Sequence, residues 1–226
     1  MDVAEPPTLA VPNERIVRTY DVLSGAYDRL VGPLEAGARS RAIDLLAPEE
    51  RELILEVGCG PGRALTEIAS RTEGGRVYGL DAAPGMLSRA RRRCKRSTDR
   101  DRLALLFGDA RHLPVRASTI DAVYIEATLE LFSPGEMRTV LREIHRVLAP
   151  AGRLCTVTME REGFETSRFV RAYEWFFERA PGYQSVGCRP VYARRAIEDA
   201  GFTVRYHERD SHVGVWPVDV YLASPT

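Results

Sequence analysis

Leu53-Ile54-Leu55-Glu56-Val57-Gly58-Cys59-Gly60-Pro61-Gly62 is the stretch that decides the fold. Apolar residues around one carboxylate read as a short buried strand, and a glycine-dense turn follows at once. Beyond it, Ala64, Leu65, Ile68 and Ala69 change the apolar spacing from a strand period to a helix period. The turn therefore joins a strand to a helix. Glycines at alternate positions let the backbone bend sharply and approach a ligand with no Cβ in the way. The helix beyond offers unpaired N–H groups, which suit an anionic ligand.

The dinucleotide fingerprint Gly-x-Gly-x-x-Gly is not met, because Arg63 stands in the third glycine's place and Gly62 comes one residue early. The next strands carry more information. Arg76–Leu80 reads as a second strand ending on Asp81, where a carboxylate can accept hydrogen bonds from both hydroxyls of an adenosine ribose. Met86 and Leu87 open the following helix, with Met86 placed to pack on an adenine face. Leu103–Phe107 reads as a third strand running into Gly108-Asp109-Ala110, with Asp109 suited to accept from an adenine amino group. Ala122–Glu126 is a fourth, and Glu126 falls where ligands gather in open parallel sheets.

Ser133-Pro134-Gly135-Glu136 is a capping box with proline at the first helical position, opening a helix with Met137, Val140, Leu141, Ile144, Val147 and Leu148 on one face. His145 reads as an ordinary residue of that helix. After an Ala149–Gly152 turn, Arg153–Met159 supplies strand five. Residues 160–190 break the alternation with Phe164, Phe169, Tyr173, Trp175, Phe176 and Phe177, more aromatic side chains than one packed stripe requires, so some are expected to face a pocket. Pro190 is expected to start a helix closed by Gly201, followed by strand six over Phe202–Glu208. A final strand over Val213–Ala223 needs Pro217 at a bulge or an edge-facing position, and so short a link implies antiparallel pairing.

A chain of 226 residues with 44% hydrophobic and 28% charged residues suits one globular α/β domain with a peripheral addition. The expected organisation is a flexible tail over residues 1–12, then a single domain over 13–226. Within it, 13–48 is an N-terminal helical lid and 160–190 a substrate-cap insertion. No apolar run reaches the roughly 18 residues a membrane helix needs, and the start lacks a signal-peptide pattern. The expectation is a cytoplasmic protein, with peripheral contact at a membrane allowed. Cys59, Cys94, Cys155 and Cys188 form no Cys-x-x-Cys and read as reduced thiols, with no zinc site. His207, Asp210 and His212 lack a ligand spacing, so no metal is expected there. Formal net charge is zero, which removes a global field for nucleic acid. The run Arg89, Arg91, Arg92, Arg93, Lys95 and Arg96 ends a helix, where cations suit the dipole and a solvated face.

Glu56-x-Gly58-x-Gly60-x-Gly62, the Tyr78-Gly79-Leu80-Asp81 strand end, Phe107-Gly108-Asp109-Ala110 and the Leu148-Ala149-Pro150-Ala151-Gly152 turn appear in one order. That order resembles the class I S-adenosylmethionine-dependent methyltransferases, and most closely their quinone and phospholipid (type 11) group. The resemblance implies a Rossmann-like, doubly wound seven-stranded α/β sheet with an antiparallel last strand. It implies S-adenosyl-L-methionine as cofactor, held by Tyr27, Glu56, Gly58, Cys59, Gly60, Gly62, Asp81, Ala82, Met86, Asp109, Ala110 and Glu126. The Tyr20-Asp21 and Tyr27-Asp28 pairs would then belong to a lid over the cofactor's methionine end. Cys188-Arg189-Pro190 is similar to the entry of the group's last helix. Glu126-Ala127-Thr128 departs from the Asn/Asp-Pro-Pro-Tyr sequence of enzymes that methylate nucleic-acid amines, so no nucleic-acid partner is expected.

The implied acceptor is a small, lipophilic molecule, a quinone precursor or a phospholipid amine, which can be membrane-derived. A phenol-type acceptor needs a base, with Glu126 and Glu130 as the candidates and Tyr27 and His112 behind them. Two other classes compete: a nicotinamide oxidoreductase, and a non-catalytic cofactor- or RNA-binding protein. Oligomeric state is left open by the sequence.

Overall fold

The computed structural model describes residues 16–21, 32–179, 189–212 and 216–226. In β1 (Leu53–Val57), Leu55 and Val57 enter one apolar core and Ile54 the other. A strand covered by helices on both faces needs that near-continuous apolar run. Its neighbours are β2 (Arg76–Asp81), β3 (Leu103–Phe107), β4 (Ile120–Glu126), β5 (Leu148–Met159), β6 (Phe202–His212) and β7 (Trp216–Pro225), in the order β3-β2-β1-β4-β5-β7-β6. The first five strands pair in parallel, and β7 runs antiparallel between β5 and β6. This is the doubly wound seven-stranded sheet that the motif order implied.

The helices are α1 (residues 16–21), α2 (Gly32–Leu46), α3 (Arg63–Arg71), α4 (Pro84–Cys94), α5 (Pro134–Val147), α6 (Arg168–Arg179) and α7 (Ala193–Asp199). Residues of α2 and α3 share one core with Ile54 and Val77, while α5 and α7 share the other with Leu55 and Leu80. Crossovers that run from β1 towards β3 and then return to β4 place helices on opposite faces and open a crevice between β1 and β4. The capping box at Ser133 and Glu136 is present, with the Ser133 Oγ and backbone N both bonded to Glu136 Oε2.

Two expected element boundaries are corrected. β5 begins at Leu148, because Ile120 pairs with Leu148 across a register shift and draws the expected turn into the strand. α7 begins at Ala193, since residues 189–191 instead run beside the end of β5 through a Glu160–Val191 bridge. Pairing of β7 with β5 starts at Val218, so Pro217 has a ladder partner only on the β6 side, as its missing N–H requires. None of the aromatic residues from Phe164 to Phe177 lines the principal cleft. Phe169, Tyr173 and Phe177 stack along α6 at the spacing of one turn, while Trp175 and Phe176 are 57% and 50% exposed. Cys59, Cys94 and Cys155 are buried free thiols; Cys188 and the tail over 1–12 lie outside the described residues.

Candidate functional site

The turn after β1 takes positive φ at Gly58, Gly60 and Gly62 (74°, 49° and 78°), a conformation costly for any residue with a Cβ. Leu80 O accepts from Gly58 N and Cys59 N at 2.8 and 2.9 Å, which ties the turn to β2. Asp81 tightens the same tie: Oδ2 accepts from Gly60 N and Oδ1 from Ala83 N, both at 2.8 Å. A Cβ on Gly58 would lie 2.3 Å from Thr128 Oγ1, so the loops after β1 and β4 are in van der Waals contact. A Cβ on Gly60 would meet nothing within 4 Å, because that residue faces the open cleft.

The cleft floor is charged. Glu126 receives a two-pronged ion pair from Arg39 of α2, Nε to Oε2 at 2.9 Å and Nη2 to Oε1 at 3.0 Å, and Tyr124 Oη donates to Oε2 at 3.1 Å. Burial raises the Glu126 carboxyl above its usual range, with Arg39 opposing. Glu56 is fully buried beside it and takes a backbone hydrogen bond from Leu65 in the first turn of α3. Its Oε2 has no partner. Burial, then the charge of Glu126, drives the Glu56 carboxyl well above its ordinary value.

Of the residues singled out from sequence, Glu56, Gly58, Cys59, Gly60, Asp81, Ala82, Met86, Asp109, Ala110 and Glu126 line this one cleft. Gly62 stands behind it as the N-cap of α3. Tyr27 lies outside the described residues. Asp109 is less available than expected: Arg111 grips its carboxylate through Nε at 3.0 Å and Nη2 at 2.6 Å. Burial pushes the Asp109 carboxyl up, but the Arg111 hydrogen bonds outweigh it and the net shift is downward. Glu130 is not in the cleft. It is fully buried, Oε1 accepts from Met159 N at 2.6 Å, and burial raises its pKa to about 7. His112 is exposed and His207 is paired with Asp219 at 2.8 Å.

Sequence reasoning missed Arg39, Thr128, Phe132 and the α1 side chains Ile16 and Val17, all of which line the cleft. Arg39 had a signal: it stands one and two helical turns before Ile43 and Leu46, on the buried stripe of α2, and a cation in such a stripe implies a buried partner. Tyr20 of α1 also lines the cleft, and Asp21 Oδ1 accepts from Gly85 N, docking α1 on the first turn of α4.

A "Methyltransferase domain" family model matches residues 54–152, the span from β1 to the start of β5. The demethylmenaquinone methyltransferase of Thermus thermophilus is 34% identical over 71% of this chain and 72% of its own length. That of Symbiobacterium thermophilum is 26% identical over 96% of this chain and 91% of its own. Among solved structures, geranyl diphosphate C-methyltransferase from Streptomyces coelicolor, in complex with S-adenosyl-L-homocysteine, superposes with a TM-score of 0.72 at 16% identity, covering 96% of this chain and all (100%) of that one. By sequence over most of its length and by topology throughout, the chain belongs to the class I S-adenosylmethionine-dependent methyltransferases, in their type 11 group.

Proposed function

We propose that the cleft holds S-adenosylmethionine through the loops after β1, β2 and β3 and presents it to a small lipophilic acceptor of the quinone-precursor class. The observation that carries this reading is the convergence of those three strand-end loops on one cleft that contains a buried carboxylate oxygen, Glu56 Oε2, with no partner. An unpaired buried acceptor is costly, and a ligand's N–H donor would satisfy it. Open space at Gly60 leaves room for a ligand against bare backbone. The residues present therefore fit the cofactor. Glu56, Gly58, Cys59, Gly60, Asp81, Ala82, Met86, Asp109 and Ala110 would hold it, with Gly62 shaping the turn behind them. The names of the relatives from Thermus and Symbiobacterium support the quinone class of acceptor.

When bound, S-adenosylmethionine supplies a methyl group activated by positive sulfur. The chain's own tasks are to place the acceptor and to exclude water. Glu56, Asp81, Asp109 and Glu126 set four carboxyl groups against the two guanidinium groups of Arg39 and Arg63 around the cleft, a balance that favours a cationic ligand. Ile16, Val17 and Tyr20 line the cleft and the Asp21–Gly85 hydrogen bond docks α1 beside it, which supports a lid role for this helix. Glu126 is committed to Arg39 and Tyr124, and Glu130 is sealed from the cleft, so neither is placed to act as a general base. Glu126 acts instead as the anchor that fixes Arg39 on the floor. No helix among the described residues is long and apolar enough to cross a membrane, so a lipophilic acceptor would be drawn from a membrane surface or delivered to the enzyme.

Methyl-tritiated S-adenosylmethionine incubated with separate lipid and polar extracts tests this reading. Label is expected in an aromatic species of the lipid extract, identified by mass spectrometry; label confined to polar metabolites would reject the quinone class.

A further inference from the structure

Two arginines meet at the carboxyl end of β5. Arg161 N donates to Val191 O and Val191 N to Met159 O, each at 2.9 Å, so residues 189–191 lie alongside 159–161. Arg161 Nη1 pairs with Glu174 Oε1 of α6 at 2.7 Å, and its Nε is buried with no partner. Arg189 is half-buried and donates from Nη2 to Phe132 O at 3.1 Å. Among the described residues it has no carboxylate in ion-pair range. Burial, then the charge of Arg161, lowers the Arg189 pKa, with Glu174 opposing, so the two cations and that carboxylate feel one another.

Holding the Phe132 carbonyl occupies one of five guanidinium donors, and burying a cation beside another for a single neutral acceptor is unfavourable. Among the described residues Glu174 faces two guanidinium groups, one negative charge short of balance. The arginine pair's place in the fold suggests where that charge comes from. Phe132 lines the cleft while its carbonyl holds Arg189, which puts the arginines against the β4–β5 side of the rim. Glu56, Asp81 and Glu126 stand in the cleft itself.

Resting on the methyltransferase reading above, we propose that the acceptor carries an oxyanion, a carboxylate or a phosphate, seated between Arg161 and Arg189 while its nucleophilic atom enters the cleft. Planar guanidinium forks match either group with paired hydrogen bonds. Carboxylates on the cofactor side repel the same group, so the charge pattern admits the acceptor in one orientation.

The test is a ligand-observed NMR titration of the protein saturated with S-adenosylhomocysteine, using benzoate, phenyl phosphate and the neutral benzyl alcohol. Benzoate or phenyl phosphate is expected to bind roughly tenfold or more tightly than benzyl alcohol, and the better of the two identifies the oxyanion. Arg189→Met is expected to abolish that preference with the affinity for S-adenosylhomocysteine unchanged. Glu174→Gln, which frees Arg161, is expected to tighten the anion severalfold. Anions binding no better than benzyl alcohol, Arg189→Met binding them as the parent does, or no gain in Glu174→Gln would each overturn the oxyanion site while leaving the cofactor site standing. Failure of the parent protein to bind S-adenosylhomocysteine would instead overturn the reading on which it rests.

Discussion

The carboxylate of Asp81 accepts from Gly60 N and Ala83 N, so it shapes the glycine turn before any ligand arrives. Each carboxylate oxygen can accept a second hydrogen bond, which leaves capacity for ribose hydroxyls. Asp81→Ala removes both functions. Affinity for S-adenosylhomocysteine, measured by calorimetry, is expected to fall by more than tenfold, and the unliganded protein to lose about 3 kcal/mol in urea unfolding, the low end for two hydrogen bonds to a charged group. Unchanged binding would remove Asp81 from the cofactor site. Unchanged stability with lost binding would show that its contact is with ligand alone.

Two elements far apart in the chain meet in the ion pair of Arg39 on α2 with Glu126 at the end of β4, whose side chains are only 7% and 10% exposed. Breaking one side strands the other charge in a buried setting, which costs more than the pair contributes. Arg39→Met is expected to destabilise the protein by about 3 kcal/mol, whereas Arg39→Met with Glu126→Leu recovers most of that loss. Urea midpoints of the two variants check this. Additive losses would show that the pair is not coupled and that α2 is held on the sheet by its apolar stripe alone. The same pairing is why Glu126, expected as a base from its position on the rim, is bound to a structural partner.

For the whole molecule, Glu130 links folding to pH. Its folded pKa of about 7 exceeds the ordinary carboxyl value of 4.5, so between those limits the folded state holds a proton that the unfolded chain releases. The stability from this group is complete below about pH 4.5 and is lost as pH rises through about 7, a change on the order of 3 kcal/mol. Glu130→Gln keeps an acceptor for Met159 N and cannot ionise. The gap between Glu130→Gln and the parent in urea unfolding is expected to widen in favour of the variant from pH 5 to pH 8. A constant gap would mean that Glu130 is not protonated in the fold.

What the sequence by itself determined was local and repeated: strand, glycine turn and helix at 53–71, acidic residues ending successive strands at Asp81, Asp109 and Glu126, and the capping box at Ser133. These follow from neighbours a few positions apart, so period and turn chemistry were sufficient to read them, and the parallel register then brought the strand ends to one rim. Only the tertiary structure decided which carboxylates remained available. Arg39 reaches Glu126 across 87 positions and Arg189 reaches Phe132 across 57. Glu130 sits four residues past Glu126 yet points into the core behind β5. Depth, partner and charge state are set by packing between distant elements, and residue spacing along the chain carries none of that information.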